Sequence, residues 1–262
     1  MKTIRILGLI VAGSMMACVG AEDDLGGEDF EATAEASQPV IVGDVDWVNS
    51  TTLSGTAATR AKAVGYLSIP AQSSRCTAWL VSKDVAITNN HCIARSSQAK
   101  GAKISFNYEE GVTSGQRVWY DCSTFVATWK NLDMTALRCA PVNGVYPGDA
   151  NGWLTVSGSD AADGAGIYVL HQNCDYNTTS SCSPTKKYSP GAILDANFSS
   201  TDASYDADTL GGSSGSPVLS ATTNEVVALH HYGFGGDSEG RGTHNSGVRA
   251  GEIKPALASI GL

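Results

Sequence analysis

The chain has no CxxC pair and no HExxH motif, so the common zinc-holding spacings are missing and no metal is expected. It also lacks a basic patch. Lysine and arginine total 17 against 26 aspartate and glutamate, which leaves nucleic-acid binding without an electrostatic footing. No internal repeat recurs, and the apolar runs do not indicate a membrane-spanning protein. Helical periodicity is absent until residues 251–260, where apolar positions recur at helical spacing and Pro255 suits a first turn.

What is present begins at the N-terminus. Lys2 and Arg5 precede an apolar stretch from Ile6 to Ala17, the layout of a secretory signal over residues 1–17. Met15-Met16-Ala17-Cys18 resembles a bacterial lipobox, which implies lipidation of Cys18 and attachment to the cell envelope. Ordinary cleavage after Val19-Gly20-Ala21 also fits and implies an extracellular protein. Seven cysteines in an exported chain leave one unpaired, and taking Cys18 for lipid leaves six to form bridges. Residues 18–39 read as an acidic tether or propeptide, since Val19 to Pro39 carry seven acidic residues and no basic one. Beyond Pro39 the chain is only mildly acidic.

With 42% hydrophobic content over 262 residues, one large or two fused all-β domains are reasonable. From Ala63 onward, β-rich runs alternate with Gly, Asn, Ser or Asp: AVGYLSI, CTAWLVS, KISFNY, RVWYDC, MTALRC, GWLTVS, GIYVLH, SPVLS and EVVALHHYG. Such spacing predicts a barrel or sandwich. The residues Pro141 to Gly148 interrupt the pattern and mark a break.

Gly211-Gly212-Ser213-Ser214-Gly215-Ser216-Pro217-Val218 sets a serine in a glycine-rich turn before an apolar run. Covalent acyl transfer asks for a serine activated by a base, with backbone N–H donors facing the oxyanion. Ser214 is the candidate nucleophile, and the N–H groups of Gly212 and Ser214 are the candidate oxyanion donors. A bare Gly/Ser run serves as readily as a turn or linker, so its partners matter. They stand upstream in Thr88-Asn89-Asn90-His91-Cys92 and Leu132-Asp133-Met134-Thr135-Ala136-Leu137. His91 would take and return the proton, and Asp133 would hold its tautomer. Asp84 and Asp121 compete with Asp133 on composition alone. A GxSxG elbow with Ser213 as attacker would need a helix after the serine, which Ser216-Pro217-Val218-Leu219-Ser220 contradicts.

This His, Asp, Ser order resembles the chymotrypsin-fold, trypsin-like serine proteases. Residues 82–91 and 211–218 are similar to the bacterial glutamyl-endopeptidase (V8-like) branch, and more weakly to lysyl endopeptidases. The likeness runs from about Val40 to Leu262. It implies an all-β body of two antiparallel six-stranded β-barrels with a C-terminal helix and the site in the cleft between the barrels. Barrel 1 would span about 45–145 with His91 and Asp133, barrel 2 about 146–250 with Ser214, and the helix 251–260. A monomeric peptidase acting on proteins or peptides, with no cofactor, is what the family implies. In that fold a bridge like Cys76–Cys92 braces the histidine loop. Cys174–Cys182 and Cys122–Cys139 complete the set, though six cysteines allow other pairings.

Specificity in this family comes from residues before the serine and on the following strand. Thr209 and His230 match the pair that glutamyl endopeptidases use for a substrate carboxylate, whereas Asp208 stands where trypsins carry the aspartate that binds arginine or lysine. An inward Asp208 about 4 Å from a substrate carboxylate would repel it by roughly 4 kcal/mol. Both readings cannot hold, and acidic substrates are the expected preference, with basic ones the alternative. Tyr232 and Gly233 correspond to the substrate-pairing edge. His231 and His171 read as packed or surface histidines, and His244 has no assigned role. Ile41-Val42-Gly43-Asp44 resembles the start of an activated trypsin, but Ser213 stands where that mechanism needs an aspartate. The glutamyl-endopeptidase likeness implies instead that a freed amine at Val40 or Ile41 helps build the acidic-substrate pocket. A catalytically silent binding or adhesion protein is the alternative from another class.

Overall fold

Short runs with apolar side chains facing inward build sixteen strands in a computed structural model of the chain, which describes residues 40–173 and 184–262. In chain order the strands are β1 (Ile41–Val42), β2 (Val48–Asn49), β3 (Val64–Ile69), β4 (Ser74–Leu80), β5 (Val85–Asn89), β6 (Lys103–Ser105), β7 (Tyr120–Asp121) and β8 (Thr124–Trp129). They continue with β9 (Met134–Arg138), β10 (Gly166–Gln172), β11 (Lys186–Asp195), β12 (Asp202–Tyr205), β13 (Pro217–Ser220), β14 (Val226–Phe234), β15 (Arg241–Gly242) and β16 (His244–Arg249). Three helices are α1 (Gly55–Ala61), α2 (Pro147–Asn151) and α3 (Ala250–Ala258).

The N-terminal sheet runs β7-β6-β3-β4-β5-β9-β8 and the C-terminal sheet β10-β13-β14-β16-β12-β11-β2. Pairing of β10 with β11 closes the second sheet into a barrel, with β2 added outside. The first sheet is a half-barrel, because no pairing joins β7 to β8 among the described residues. Two six-stranded closed barrels were expected, so only one closure is found. The physical reason is length: β7 offers two residues and β8 is only partly buried, too little paired backbone to close a ring.

The segment from Val40 to Asn49 also departs from its expected place. Its β2 pairs with β11 and so joins the C-terminal sheet rather than barrel 1, while its β1 pairs in parallel with β15 as a separate two-stranded sheet. One apolar cluster runs through both sheets, from Leu67, Trp79 and Ile87 to Leu170, Leu229 and Ile253 of α3. The sheets are therefore packed across a shared core, which is what lets one site draw residues from each.

Sequence patterning missed β11, whose Lys186 and Lys187 hide it from an apolar template. Buried Lys186 is satisfied by Glu109 at 2.8 Å and the Phe106 carbonyl at 2.7 Å. The run GWLTVS forms no strand: Trp153 is 49% exposed, and only Val156 makes an isolated bridge, to Val226. Pro255 lies inside α3 rather than in its first turn, because the helix begins at Ala250.

Disulfides join Cys76 to Cys92 and Cys122 to Cys139. Cys174 with Cys182, Cys18, and the segments 1–17 and 18–39 lie outside the described residues. No helix among the described residues is long and apolar enough to cross a membrane. The first bridge closes a 16-residue separation ending one position past His91. Replacing both cysteines with alanine, Cys76→Ala and Cys92→Ala, is expected to cost about 3 kcal/mol of stability in denaturant unfolding; an unchanged midpoint would show that the loop needs no brace.

Candidate active site

Asp133 closes a short turn, Lys130–Leu132, in the left-handed region at φ 42°, a conformation that aspartate tolerates better than most residues. The turn presents its carboxylate toward the end of β5. There Asn90 N donates to the Asp133 carbonyl at 2.9 Å and Asn89 Nδ2 donates to it at 3.0 Å. His91 N then donates to Asp133 Oδ1 at 2.8 Å, and His91 Nδ1 meets Oδ2 at 2.6 Å. Each residue of Asn89-Asn90-His91 thus contributes a contact that fixes imidazole against carboxylate.

Asp133 is buried, which by itself would raise its carboxyl. The nearby His231 imidazole and the hydrogen bonds from His91 outweigh that and hold it well below the ordinary carboxylate range. On its other side the His91 ring stacks on Tyr232, with centroids 5.5 Å apart.

The turn over residues 211–215 docks on the same strand ends. Ser214 O accepts from Thr77 N at 2.8 Å on β4, while Gly215 N donates to His230 O at 3.0 Å on β14. Gly215 adopts φ 85°, and a Cβ there would meet Thr88 Oγ1 at 2.5 Å and the Thr77 carbonyl. Thr88 Oγ1 in turn donates to Thr77 O at 2.9 Å. Ser214 is therefore set against the strand that leads into His91.

Carbonyls around the turn are pinned outward. Arg75 Nη1 donates to Gly211 O at 3.1 Å, Thr77 Oγ1 to Gly212 O at 2.9 Å, and Ser216 N to Ser213 O at 3.0 Å. A planar trans peptide sends its N–H opposite to its C=O. The Gly212 and Ser214 N–H groups accordingly turn away from those partners and engage no backbone acceptor among the described residues. Gly212 needs its φ of 107°, since a Cβ would also press on Gln172 O at 2.6 Å.

A trypsin-like peptidase domain model matches residues 76–229, more than half of the chain. The chain belongs to the trypsin-like peptidase family. A curated relative, the secreted RxLR effector protein 73 of Plasmopara viticola, is 31% identical over 171 residues. That alignment covers 60% of this chain, which spans about two fifths of the relative's length, 41%. Among solved structures, a Glu endopeptidase in complex with MPD superposes with a TM-score of 0.62 at 17% identity, covering 85% of this chain and all of that one. The active form of the Rv3671c protease from M. tuberculosis gives 0.58 at 17%, covering 90% and 94%. Likeness at this identity shows the chymotrypsin-like fold.

Within this trypsin-like peptidase, the expected pocket residues separate. Asp208 was expected to wall the substrate pocket, but it faces the N-terminal segment, accepting from Val42 N at 2.8 Å and Asp46 N at 3.0 Å. Burial pushes its carboxyl up to about 6 against those two bonds. Thr209 N donates to Val40 O at 3.0 Å, and Thr209 Oγ1 to Asn245 Oδ1 at 2.8 Å. Val40 N donates to that same Asn245 oxygen at 3.0 Å, so Val40 is seated beside Thr209. His230 Nδ1 meets Tyr205 Oη at 2.6 Å, and its buried Nε2 has no hydrogen-bond partner among the described residues. Gly233 pairs with Asn245 in the β14–β16 ladder.

Two histidines read as packing residues carry more than packing. His171 bridges Ser213 Oγ at 2.7 Å and Ser189 Oγ at 2.9 Å, while His231 lies against Asp133 and Asp202. Only the HHYG doublet hinted at the second. Among the described residues no group of three or more His, Cys, Asp or Glu is arranged to hold a metal. Gly215→Ala is expected to destabilise the fold by about 2 kcal/mol or more and to remove activity, read by unfolding and turnover; a silent substitution would show that the turn is not docked as described.

Proposed function

We propose that this trypsin-like peptidase is an exported serine endopeptidase that cuts after acidic residues, with His91, Asp133 and Ser214 as its triad. The observation that carries the chemistry is the His91–Asp133 pair at 2.6 Å. Ser214 Oγ attacks the peptide carbonyl as His91 takes its proton, and the Gly212 and Ser214 N–H groups receive the oxyanion. His91 then protonates the leaving amine. Water enters by the same route to release the acyl group.

His171 and Ser213 form the other serine–histidine contact. Both are fully buried, and burial with the nearby Lys187 charge pushes His171 down to about 3, too weak a base for proton abstraction near neutrality. That pair supports the turn from behind.

Acidic preference is supported by His230. Tyr205 Oη donates to Ser246 O at 3.0 Å and therefore accepts the His230 Nδ1 proton, leaving Nε2 as a lone pair in the neutral ring. A substrate carboxylate needs a donor there, so its binding brings a proton onto Nε2. Burial holds the empty-site imidazole well below its ordinary range, which makes that proton uptake substrate-linked. Asp208, spent on Val42 and Asp46, does not favour the basic-substrate alternative. Release of residues 1–39 would free an amine at Val40, next to Thr209 and Asn245. Export to the cell envelope through a lipid on Cys18, or to the medium, follows from the N-terminal segment, and mass spectrometry of the mature N-terminus separates the two.

Cleavage of a mixed peptide library tests the reading. Ser214→Ala should lose about 10⁶-fold in turnover while Ser213→Ala keeps most of it. Cuts should follow Glu or Asp, with KM for those peptides rising as pH rises and the proton on His230 becomes harder to supply. Activity surviving in Ser214→Ala would sink the triad. Cuts after Arg or Lys would sink the pocket.

A further inference from the structure

His231 is the surplus residue of β14. His230 faces Gly247 and Tyr232 faces Ser246, consecutive positions on β16, so the register shifts and His231 has no partner opposite it. A bulge of this kind re-aims a side chain. Here it sends the imidazole into a buried site between two carboxylates. Nε2 lies 3.2 Å from Asp202 Oδ2, and Nδ1 lies 3.6 Å from Asp133 Oδ2, the same oxygen that meets His91 Nδ1 at 2.6 Å.

A neutral imidazole has one N–H and can serve only one of these carboxylates, leaving a lone pair against the other anion. A cation is drawn to both, to Asp202 through a hydrogen bond and to Asp133 through charge alone, since Nδ1 at 3.6 Å makes no hydrogen bond. Asp202 is held at Oδ1 by Thr201 Oγ1 at 2.9 Å and also feels the Arg249 charge, which opposes a positive ring but is itself paired with Asp160 at 3.6 Å. Tyr232 packs against both imidazoles, with centroids 4.5 Å from His231 and 5.5 Å from His91. His230, on the same strand, is buried and neutral.

We propose that His231 is a positioning residue of the active site: a buried cation, anchored by Asp202, that shares Asp133 with His91 and limits the negative charge His91 feels. This rests on the reading of His91, Asp133 and Ser214 as the catalytic set. Burial alone would push His231 down, but Asp133 and Asp202 outweigh it and lift it to about 9. Part of the Asp133 charge is spent on His231, so a second positive charge at His91 is less favoured.

The sign is testable in His231→Gln, which keeps a polar side chain but removes the charge. The acid limb of its kcat/KM profile should move to higher pH by about one unit, the order expected for unit charges several ångströms apart at an effective dielectric near 20. Activity below the limb should fall about tenfold. A loss of Tm and kcat with the limb unmoved would overturn the proposal, leaving His231 a packing residue. Should the variant fail to fold, ring-nitrogen NMR of the Ser214→Ala protein decides. A doubly protonated His231 at about pH 7.5 that loses its proton near pH 9 upholds the cation; a neutral ring at about pH 7.5 refutes it. That spectrum does not depend on turnover, so a failure of the triad and a failure of this proposal are told apart.

Discussion

A buried carboxylate is costly unless donors surround it, and the arrangement of this molecule turns on how Asp133 is supplied with them. His91 gives both its backbone N–H and its ring nitrogen to that carboxylate. Asn89 and Asn90 secure the Asp133 carbonyl, and His231 adds an imidazole from the opposite sheet. The groups facing its carboxylate come from both sheets, His91 just beyond β5 and His231 on β14. The site and the interface between the sheets are the same physical object.

The turn around the proposed nucleophile, Ser214, obeys a related constraint. Its carbonyls are taken by Arg75, Thr77 and Ser216, and its amides are thereby turned the other way. Glycine is required where the turn lies closest to β4 and β5, since a side chain at Gly215 would strike Thr77 and Thr88. Preorganisation of this kind lets dipoles meet a developing charge without rearranging during the reaction.

Much of the fold was legible. Strands with dense β-rich runs, such as β3, β4, β10 and β14, follow their sequence runs closely. β11 was hidden because its lysines are buried only by virtue of Glu109, the Phe106 carbonyl and other groups far away in the chain. In the site, His91, Asp133 and Ser214 stood out because a short local context accompanies each. Asp208 was misplaced because its partner Val42 is 166 positions away, and nothing near either residue announces the contact.

Residue types and local turns were thus determined by sequence alone: a serine in a glycine turn, an aspartate leading into a strand, a histidine after two asparagines. Tertiary structure decided which groups those residues face. It turned Asp208 toward the N-terminal segment, left His230 Nε2 without a partner, and through one extra residue in β14 brought His231 between two carboxylates. The reason is that burial and charge pairing act between residues distant in the chain, and a single inserted residue in a strand changes the face a side chain presents.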